Sequence, residues 1–138
     1  FINNFDIRYF KNFIKNKKKN IKSMLMDQTF VSGLGNIYVN EVLFKSQIHP
    51  LRISGGLSIK EIKKIIQNIK KVLNFSISKG GSSIKDFKNT GGKKGQFQEF
   101  FRVYDKENNN CSRISCKGKI KKIIISNRST YYCKRCQI

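Results

Sequence analysis

The sequence predicts a mainly α-helical chain, in which a helix-two-turn-helix domain is followed by a small β-hairpin zinc finger. Three observations lead to this prediction. Apolar residues recur at three- and four-residue spacings between Phe5 and Ile77, which is the period of amphipathic helices. Glycines at positions 33 and 35 interrupt that period and leave room for turns. Four cysteines in two close pairs enclose a strand-like run between Cys111 and Cys136.

The composition favours a folded chain that binds a polyanion. The 138 residues include 29 Lys or Arg against 8 Asp or Glu, which gives a net charge of +21, and 38% are hydrophobic. This hydrophobic content is enough for one moderate core and a small metal-binding region. No apolar run approaches the ~20 residues of a membrane span, so nucleic acid is the first candidate partner. AT-rich codons also favour Lys, Ile and Asn, so the charge alone does not name the partner.

The first predicted element is a short helix within residues 5–15, FDIRYFKNFIK. Its apolar side chains fall on one face and are expected to pack in the core: Phe5, Tyr9, Phe10, Phe13 and Ile14. The basic run KNKKKN at residues 15–20 is interpreted as a solvated loop. The same lysines are also suited to lie along a phosphate backbone.

Residues 21–47 predict a helix, two turns and a second helix that begins at Asn36. The second helix has an apolar face: Ile37, Val39, Val42, Leu43 and Phe44. A turn that leads into a helix N-terminus exposes unpaired N–H groups, and glycine lets a phosphate approach closely. We therefore expect an anion site here, to which Lys22 adds charge. Asn36 either offers its amide to the phosphate or caps its own helix.

The second helix is expected to end near Gln47, because Pro50 would stop any continuation. His49 is the only histidine in the sequence. We assign it no chemistry, because four cysteines already complete a tetrahedral metal site and a histidine before proline is usually a packed or capping residue.

A long basic helix is predicted next. A flexible SGG segment leads to Ser58, which forms a capping box with Glu61 at the helix start. The helix has one apolar face: Ile59, Ile62, Ile65, Ile66, Ile69, Val72, Leu73 and Ile77. Residues 89–97 are too rich in glycine for a regular element and are interpreted as a mobile loop, which either closes over a ligand or joins the helix to a strand.

The C-terminal region predicts a strand, a turn and a β-hairpin. Residues 97–104 are rich in aromatic side chains, as in a strand that enters the finger, and ENNN follows as a turn. Isoleucines then alternate with polar residues from position 120 to 126, which predicts a hairpin with SNRS at its tip. The guanidinium of Arg128 is well placed there to bind phosphate oxygens, unless it is an ordinary exposed turn residue.

The two cysteine pairs, CSRISC and CKRC, predict a zinc site. Short knuckles aim both sulfurs of a pair at one point, so two pairs can enclose one tetrahedral Zn²⁺. The alternative is two disulfides with three possible pairings. The sequence shows no secretory signal and no other redox motif, which favours zinc.

Several of these segments together resemble the second half of bacterial formamidopyrimidine-DNA glycosylase. The resemblance covers almost the whole chain, from about Phe5 to Gln137, with the order and spacing of the family. It is carried by these stretches: LMDQTFVSGLGNIYVNEVLFKSQIHPLR, KDF, GGKKGQF, VYDKE and NRSTYYCKRCQ. The resemblance implies a base-excision repair enzyme that flips an oxidised purine, such as 8-oxoguanine or a formamidopyrimidine, out of DNA, cleaves its glycosidic bond and nicks the abasic strand.

The nucleophile of this family is the amine of an N-terminal proline in a β-sandwich domain, and it forms a Schiff base with the sugar. The sequence begins at Phe1 rather than methionine, so we expect a partial sequence in which that catalytic domain is absent. Pro50 is internal, and its amide nitrogen cannot act as that nucleophile. We expect the parent protein to be a glycosylase and AP lyase, and residues 1–138 alone to be inactive.

The resemblance also implies DNA contacts. By position, Lys22 and Asn36 match phosphate contacts of the helix-two-turn-helix element, and Arg128 matches the finger arginine that holds phosphates beside the lesion. Lys93 falls in the segment that resembles the loop over the everted base.

The resemblance further implies zinc ligands, domains and partners. The four ligands match Cys111, Cys116, Cys133 and Cys136, although the usual first pair of the family is C-x2-C. We expect a DNA-binding domain at residues 1–95 and a finger at 96–138. The expected partner is damaged double-stranded DNA, bound by a cytoplasmic monomer with no membrane contact. The alternatives are a free-standing, non-catalytic zinc DNA-binding module and an RNA-binding zinc ribbon, which leaves GLGNIY unexplained.

Overall fold

The computed structural model describes residues 6–27, 34–78 and 101–138, with side chains through Asn74 in the second range. Within these ranges the chain forms helices and one two-stranded antiparallel sheet. The elements are α1 (Ile7–Ile14), α2 (Ile21–Leu25), α3 (Asn36–Lys45), α4 (Ile59–Ser78), β1 (Ile120–Ile125) and β2 (Arg128–Cys133). The predicted fold class, a helical domain followed by a small hairpin, is confirmed.

Local capping signals start the first two helices. The Asp6 side chain accepts a hydrogen bond from the backbone N–H of Tyr9 at 2.9 Å, so α1 begins at Ile7. Phe10 and Ile14 of α1 are buried, whereas Tyr9 is 37% exposed. Asn20 caps α2 in the same way. The predicted basic loop therefore ends in a helix cap.

The SGG segment is not the flexible linker that the composition predicted. Ser54–Gly56 forms a single 3-10 turn packed on the basic loop. Ser54 is buried and donates through both its N–H and its Oγ to the carbonyl of Lys19. A Cβ on Gly55 would lie 2.7 Å from the carbonyl oxygen of Lys17, so this position requires glycine. Local composition could not predict this packing, because the hydrogen-bond partner of Ser54 lies more than thirty residues upstream.

The predicted capping box of α4 is confirmed. The backbone N–H of Ser58 donates to Glu61 Oε1 at 2.9 Å, and the backbone N–H of Glu61 donates to Ser58 Oγ at 3.1 Å. The apolar face of α4 packs against α1 and α3 and is buried along most of its described length: Ile62, Ile65, Ile66, Ile69, Val72 and Leu73. Ile59, at the helix start, is 42% exposed.

His49 has a packing role, as predicted. Its ring lies 4.6 Å from the ring of Tyr132, and its Nδ1 accepts a hydrogen bond from the backbone N–H of Leu51 at 3.1 Å. Helix α3 ends at Lys45, just before this turn. These contacts join the end of the helical domain to strand β2 of the finger.

The hairpin is confirmed, with Ile120 opposite Cys133 and Ile125 opposite Arg128. The tip is shorter than the predicted SNRS, because Arg128 and Ser129 already pair within β2. Ser126 and Asn127 alone form it, with positive φ angles of 50° and 63°, as tight hairpin turns require.

The strand predicted at residues 97–104 is wrong for its described part. Residues 102–104 are in a bend and a turn, and residue 101 is in no regular element. The backbone N–H groups of Arg102, Val103 and Tyr104 donate to the Glu41 carboxylate instead of to a strand. Several predictions fall outside the described residues. They are the core position of Phe5, the turn around Gly33, the loop at 89–97 with Lys93, the domain boundary between residues 95 and 96, and residues 97–100 of this strand. Within the described ranges, no helix is both long enough and apolar enough to cross a membrane.

Candidate metal centre and nucleic-acid interface

The four cysteines lie together at the base of the hairpin. Their Sγ atoms are all within 4.8 Å of one another. The Sγ atoms of Cys111 and Cys136 are 3.9 Å apart, and those of Cys116 and Cys133 are 3.6 Å apart. A disulfide requires about 2.05 Å, and all four cysteines are free. The structure therefore favours the metal prediction over the disulfide alternative.

The spacing of the sulfurs fits a tetrahedral ion. Four sulfurs at about 2.3 Å from a central zinc would be separated by about 3.8 Å, which is close to the separations of 3.9 and 3.6 Å in these two pairs. Four thiols with no other donor type are the set that a structural zinc site uses. The cysteines are thus positioned to bind a metal ion.

The long first knuckle still brings Cys111 to the cluster. Ser115 adopts a positive φ of 69°, which turns the chain back within the four-residue gap. The backbone N–H of Cys111 donates to the Gly118 carbonyl at 2.9 Å. A Cβ on Gly118 would lie 2.8 Å from the Sγ atom of Cys133, so glycine is needed there. The two additional residues are accommodated within the knuckle.

Two of the predicted DNA-binding residues converge on the hairpin. Lys22 Nζ donates to the Ser129 carbonyl at 3.4 Å, and Asn36 Nδ2 donates to the same carbonyl at 3.1 Å. Arg128 precedes Ser129 in the chain, and it lines one groove together with Lys22. The Lys22 ammonium also donates to Thr130 Oγ1 at 2.6 Å.

Asn36 does not cap its own helix. The N-cap of α3 is Gly35, without a side-chain hydrogen bond, so the capping alternative for Asn36 is wrong. Its amide nitrogen points to the finger, and its Oδ1 is buried without a partner among the described residues.

The Lys22 ammonium lies in an unusual environment for a lysine. The residue is only 1% exposed. Burial, and then the positive charge of Arg128, lowers the pKa of Lys22 to about 8. A buried ammonium beside a second cation is stabilised by any anion that approaches both groups.

A groove of about 780 Å³ opens beside these residues, between α2 with its preceding loop and the hairpin tip. Its charged lining is mainly basic: Lys18, Lys19, Lys22 and Arg128, with Asp27 as the one acid among the lining residues. Lys19 Nζ lies 3.9 Å from Asp27 Oδ2. The surplus of positive charge suits the groove to an extended anion.

Buried polar residues that the sequence did not predict attach the finger to α3 and to the turn that follows it. Asn40 accepts from the backbone N–H of Tyr131 at 3.0 Å and donates to the Asn36 carbonyl at 2.9 Å. Gln137 accepts from the Cys133 N–H at 2.7 Å and donates to the Ile48 carbonyl at 3.0 Å. The sequence did carry one indication of these contacts, because the polar residues Asn40 and Glu41 interrupt the apolar residues of α3.

Glu41 is the most deeply buried of these residues. Its carboxylate is 0% exposed and accepts from three successive backbone N–H groups, at 2.7, 3.1 and 2.8 Å. Burial raises the pKa of Glu41, and the three N–H donors oppose this effect. The carboxylate fixes the start of the finger segment to the middle of α3.

Two family models match the chain. Residues 1–88 match the formamidopyrimidine-DNA glycosylase H2TH domain, and residues 111–138 match a zinc finger found in FPG and IleRS. Among curated proteins, the formamidopyrimidine-DNA glycosylase of Roseobacter denitrificans is 46% identical over 89% of this chain and 44% of its own length. The enzyme of that name from Streptococcus pneumoniae serotype 4 is 44% identical over 96% of this chain and 48% of its own length.

Solved structures give the same result. Lactococcus lactis formamidopyrimidine-DNA glycosylase, bound non-covalently to DNA with an AP site, superposes with a TM-score of 0.82 at 36% identity, over 98% of this chain and 46% of the other. MutM in complex with DNA containing carbocyclic 8-oxo-G also gives 0.82, at 38% identity, over 97% and 47%. The chain thus spans about half the length of the relatives it matches. By the match over residues 1–88, the chain belongs to the formamidopyrimidine-DNA glycosylase H2TH domain family.

Proposed function

We propose that these residues form the DNA-gripping part of a base-excision repair glycosylase and AP lyase that acts on oxidised purines. The observation that carries the proposal is the shared acceptor at Ser129, which gathers Lys22 and Asn36 beside Arg128. Lys22 and Arg128 line one groove, and Asn36 shares an acceptor with Lys22. Such donors suit the phosphates of one stretch of backbone, which fix position without reading sequence. The names of the relatives and the DNA in their solved complexes also support it.

The proposed metal is one Zn²⁺ held by Cys111, Cys116, Cys133 and Cys136. Four thiolates close the coordination sphere, so this ion would supply structure and no catalysis. It would hold the hairpin rigid and thereby fix Arg128 opposite α3. The predicted boundary at residues 95 and 96, the monomeric state, the cytoplasmic location and a role for Lys93 above the flipped base belong to the same proposal.

The lyase chemistry that we propose for the whole enzyme requires a free amine of moderate pKa at the flipped nucleotide. The resemblance assigns it to an N-terminal proline, and the one proline in these residues, Pro50, has an amide nitrogen. We therefore expect the 138-residue chain to bind a duplex that contains 8-oxoguanine and to give no efficient borohydride trapping on it. A plain abasic duplex serves as the control for slow reaction of surface lysines.

The two readouts of this experiment are independent. Efficient trapping on the oxidised-base duplex would show that these residues carry their own nucleophile. It would overturn the division of the enzyme into a DNA-binding part and a catalytic part. Absence of duplex binding would contradict the DNA-binding role itself.

The lowered pKa of Lys22 makes DNA affinity depend on pH. Below about pH 8 Lys22 is protonated and its charge favours a phosphate. As pH rises through this value the charge is lost, so affinity should fall at constant ionic strength, as measured by fluorescence anisotropy. Because a phosphate favours the charged form, binding should also raise the pKa and shift the fall to somewhat higher pH.

The matched variant for this pH dependence is Lys22→Met, which keeps an unbranched side chain without the charge. Its affinity for DNA should be lower than that of the parent chain at neutral pH. The two affinities should become equal at high pH, because the parent then loses the Lys22 charge. Lys19→Arg, in the same groove, should retain the pH profile of the parent. If Lys22→Met retained this profile, Lys22 would not be the titrating group.

A further inference from the structure

A second cluster of positive side chains surrounds a cavity of about 490 Å³. The cavity lies between the end of α3, the middle of α4 and the first cysteine knuckle. Four basic residues line it: Lys45, Lys71, Arg102 and Arg113. Among the described residues that line it there is no Asp or Glu. Its charge is thus of one sign.

Arg113 is held in place within this cluster. Its Nη2 donates to the Phe44 carbonyl at 2.6 Å, and its guanidinium lies 4.5 Å from the centre of the Phe44 ring. Its Nε is buried and has no acceptor among the residues that the structure describes. A guanidinium with a fixed plane and a spare N–H donor is suited to a phosphate oxygen. The four-residue first knuckle supplies this arginine, since it lies between Cys111 and Cys116.

The other charges of the cluster act on one another. Burial lowers the pKa of Lys45. The Glu41 carboxylate opposes this shift, and the charges of Arg102, Lys71 and Arg113 add to it. The carboxylate of Glu41 itself accepts from backbone N–H groups and belongs to the buried interior. An anion in the cavity would relieve the repulsion among the four cations.

This cavity is separate from the groove at the hairpin tip. Asn36 and Lys45 are the first and last residues of α3, nine positions apart. At about 1.5 Å and about 100° per residue, they lie about 13.5 Å apart along the axis and on opposite sides of the helix. A duplex that contacts Asn36 and Arg128 therefore faces away from Lys45.

We propose that this cavity binds a backbone phosphate of a second nucleic-acid segment, so that one chain can hold two DNA segments at once. Arg113 supplies the oriented donor, and Lys45, Lys71 and Arg102 supply the surrounding charge. The second site should be weaker than the groove, because its cavity is smaller, about 490 Å³ against about 780 Å³. Its binding should also be salt-sensitive, because Lys71 and Arg102 are exposed.

The test counts short duplexes bound per chain, by native mass spectrometry and sedimentation at low salt, with the chain purified in zinc. We expect two binding events with an unmodified duplex of about one helical turn. Lys71→Glu should weaken the second event by roughly ten-fold and leave the first within about two-fold, and Arg102→Glu should do the same. Lys70→Glu is the matched control, since Lys70 is the neighbouring exposed lysine on α4 and lines a different groove.

Equal effects of Lys71→Glu and Lys70→Glu on the second event would overturn the proposal, because general surface charge would then explain it. Saturation at one duplex per chain would overturn it as well. Arg128→Ala separates the two sites, since it should weaken the first event only. An unchanged first event in Arg128→Ala would contradict the proposed function without affecting the second site.

Discussion

Replacing Cys133 with Ser is expected to unfold the finger and to abolish DNA binding at physiological salt. Cys133 is fully buried, and its Sγ atom is 3.6 Å from that of Cys116 at the base of the hairpin. Structural zinc contributes on the order of 10 kcal/mol to the folding of small fingers, and the finger has a core of few apolar residues beyond its cysteines. Without the metal, β2 should no longer pair with β1. Arg128 and Ser129 would then lose their fixed position beside α3.

The unfolding caused by Cys133→Ser should be confined to the finger. The helical core is a separate cluster that contains no residue of the hairpin, so far-UV circular dichroism should retain most of the helical signal. Zinc content by mass spectrometry should be one per chain in the parent and near zero in the variant. Lys134→Ser, an exposed change in the same knuckle, is the control. A Cys133→Ser chain that retained its zinc and its hairpin amide spectrum would contradict the four-thiolate site.

Replacing Glu41 with Leu is expected to destabilise the chain by about 3 kcal/mol or more, because three buried backbone N–H groups would lose their acceptor and each unmade bond costs about 1 kcal/mol or more. The groups belong to Arg102, Val103 and Tyr104, which lead into the finger. Denaturant unfolding followed by tyrosine fluorescence should show the loss, because Tyr104 packs on Tyr131 with ring centres 5.2 Å apart.

Glu107→Leu provides the matched comparison for Glu41→Leu. Glu107 is partly exposed and lies 3.9 Å from the Lys122 ammonium, so its replacement should cost less than about 1 kcal/mol. Similar losses in the two variants would show that the Glu41 hydrogen bonds do not anchor the segment.

Features that depend on neighbours in sequence could be predicted. The Ser58 and Glu61 capping box joins residues three apart, and the hairpin follows from alternating isoleucines that end in a tight turn. The cysteine knuckles belong to the same class, since each pair is set by a short local turn.

Features that depend on distant partners could not be predicted. Lys22 bonds to Thr130, 108 residues away, and Glu41 takes the N–H groups that residues 102–104 would need for a strand. Periodicity reports which face of α3 is buried, but it does not show that Glu41 is buried there with an acceptor role. The SGG turn was misjudged for the same reason, because its glycine is required by a carbonyl of the basic loop.

We propose that Lys22, Asn36 and Arg128 act as one phosphate site around Ser129. A double-mutant cycle of Asn36→Ala and Arg128→Ala in duplex binding, repeated over a range of salt, measures whether these side chains act together. We predict a coupling energy of about 1 kcal/mol between the two changes. We also predict a loss of about one unit of salt slope for Arg128→Ala and for Lys22→Ala, with little change for the neutral Asn36→Ala. Two results together would contradict a shared phosphate site: additive losses of binding free energy in the double variant, and salt slopes equal to that of the parent in all three single variants.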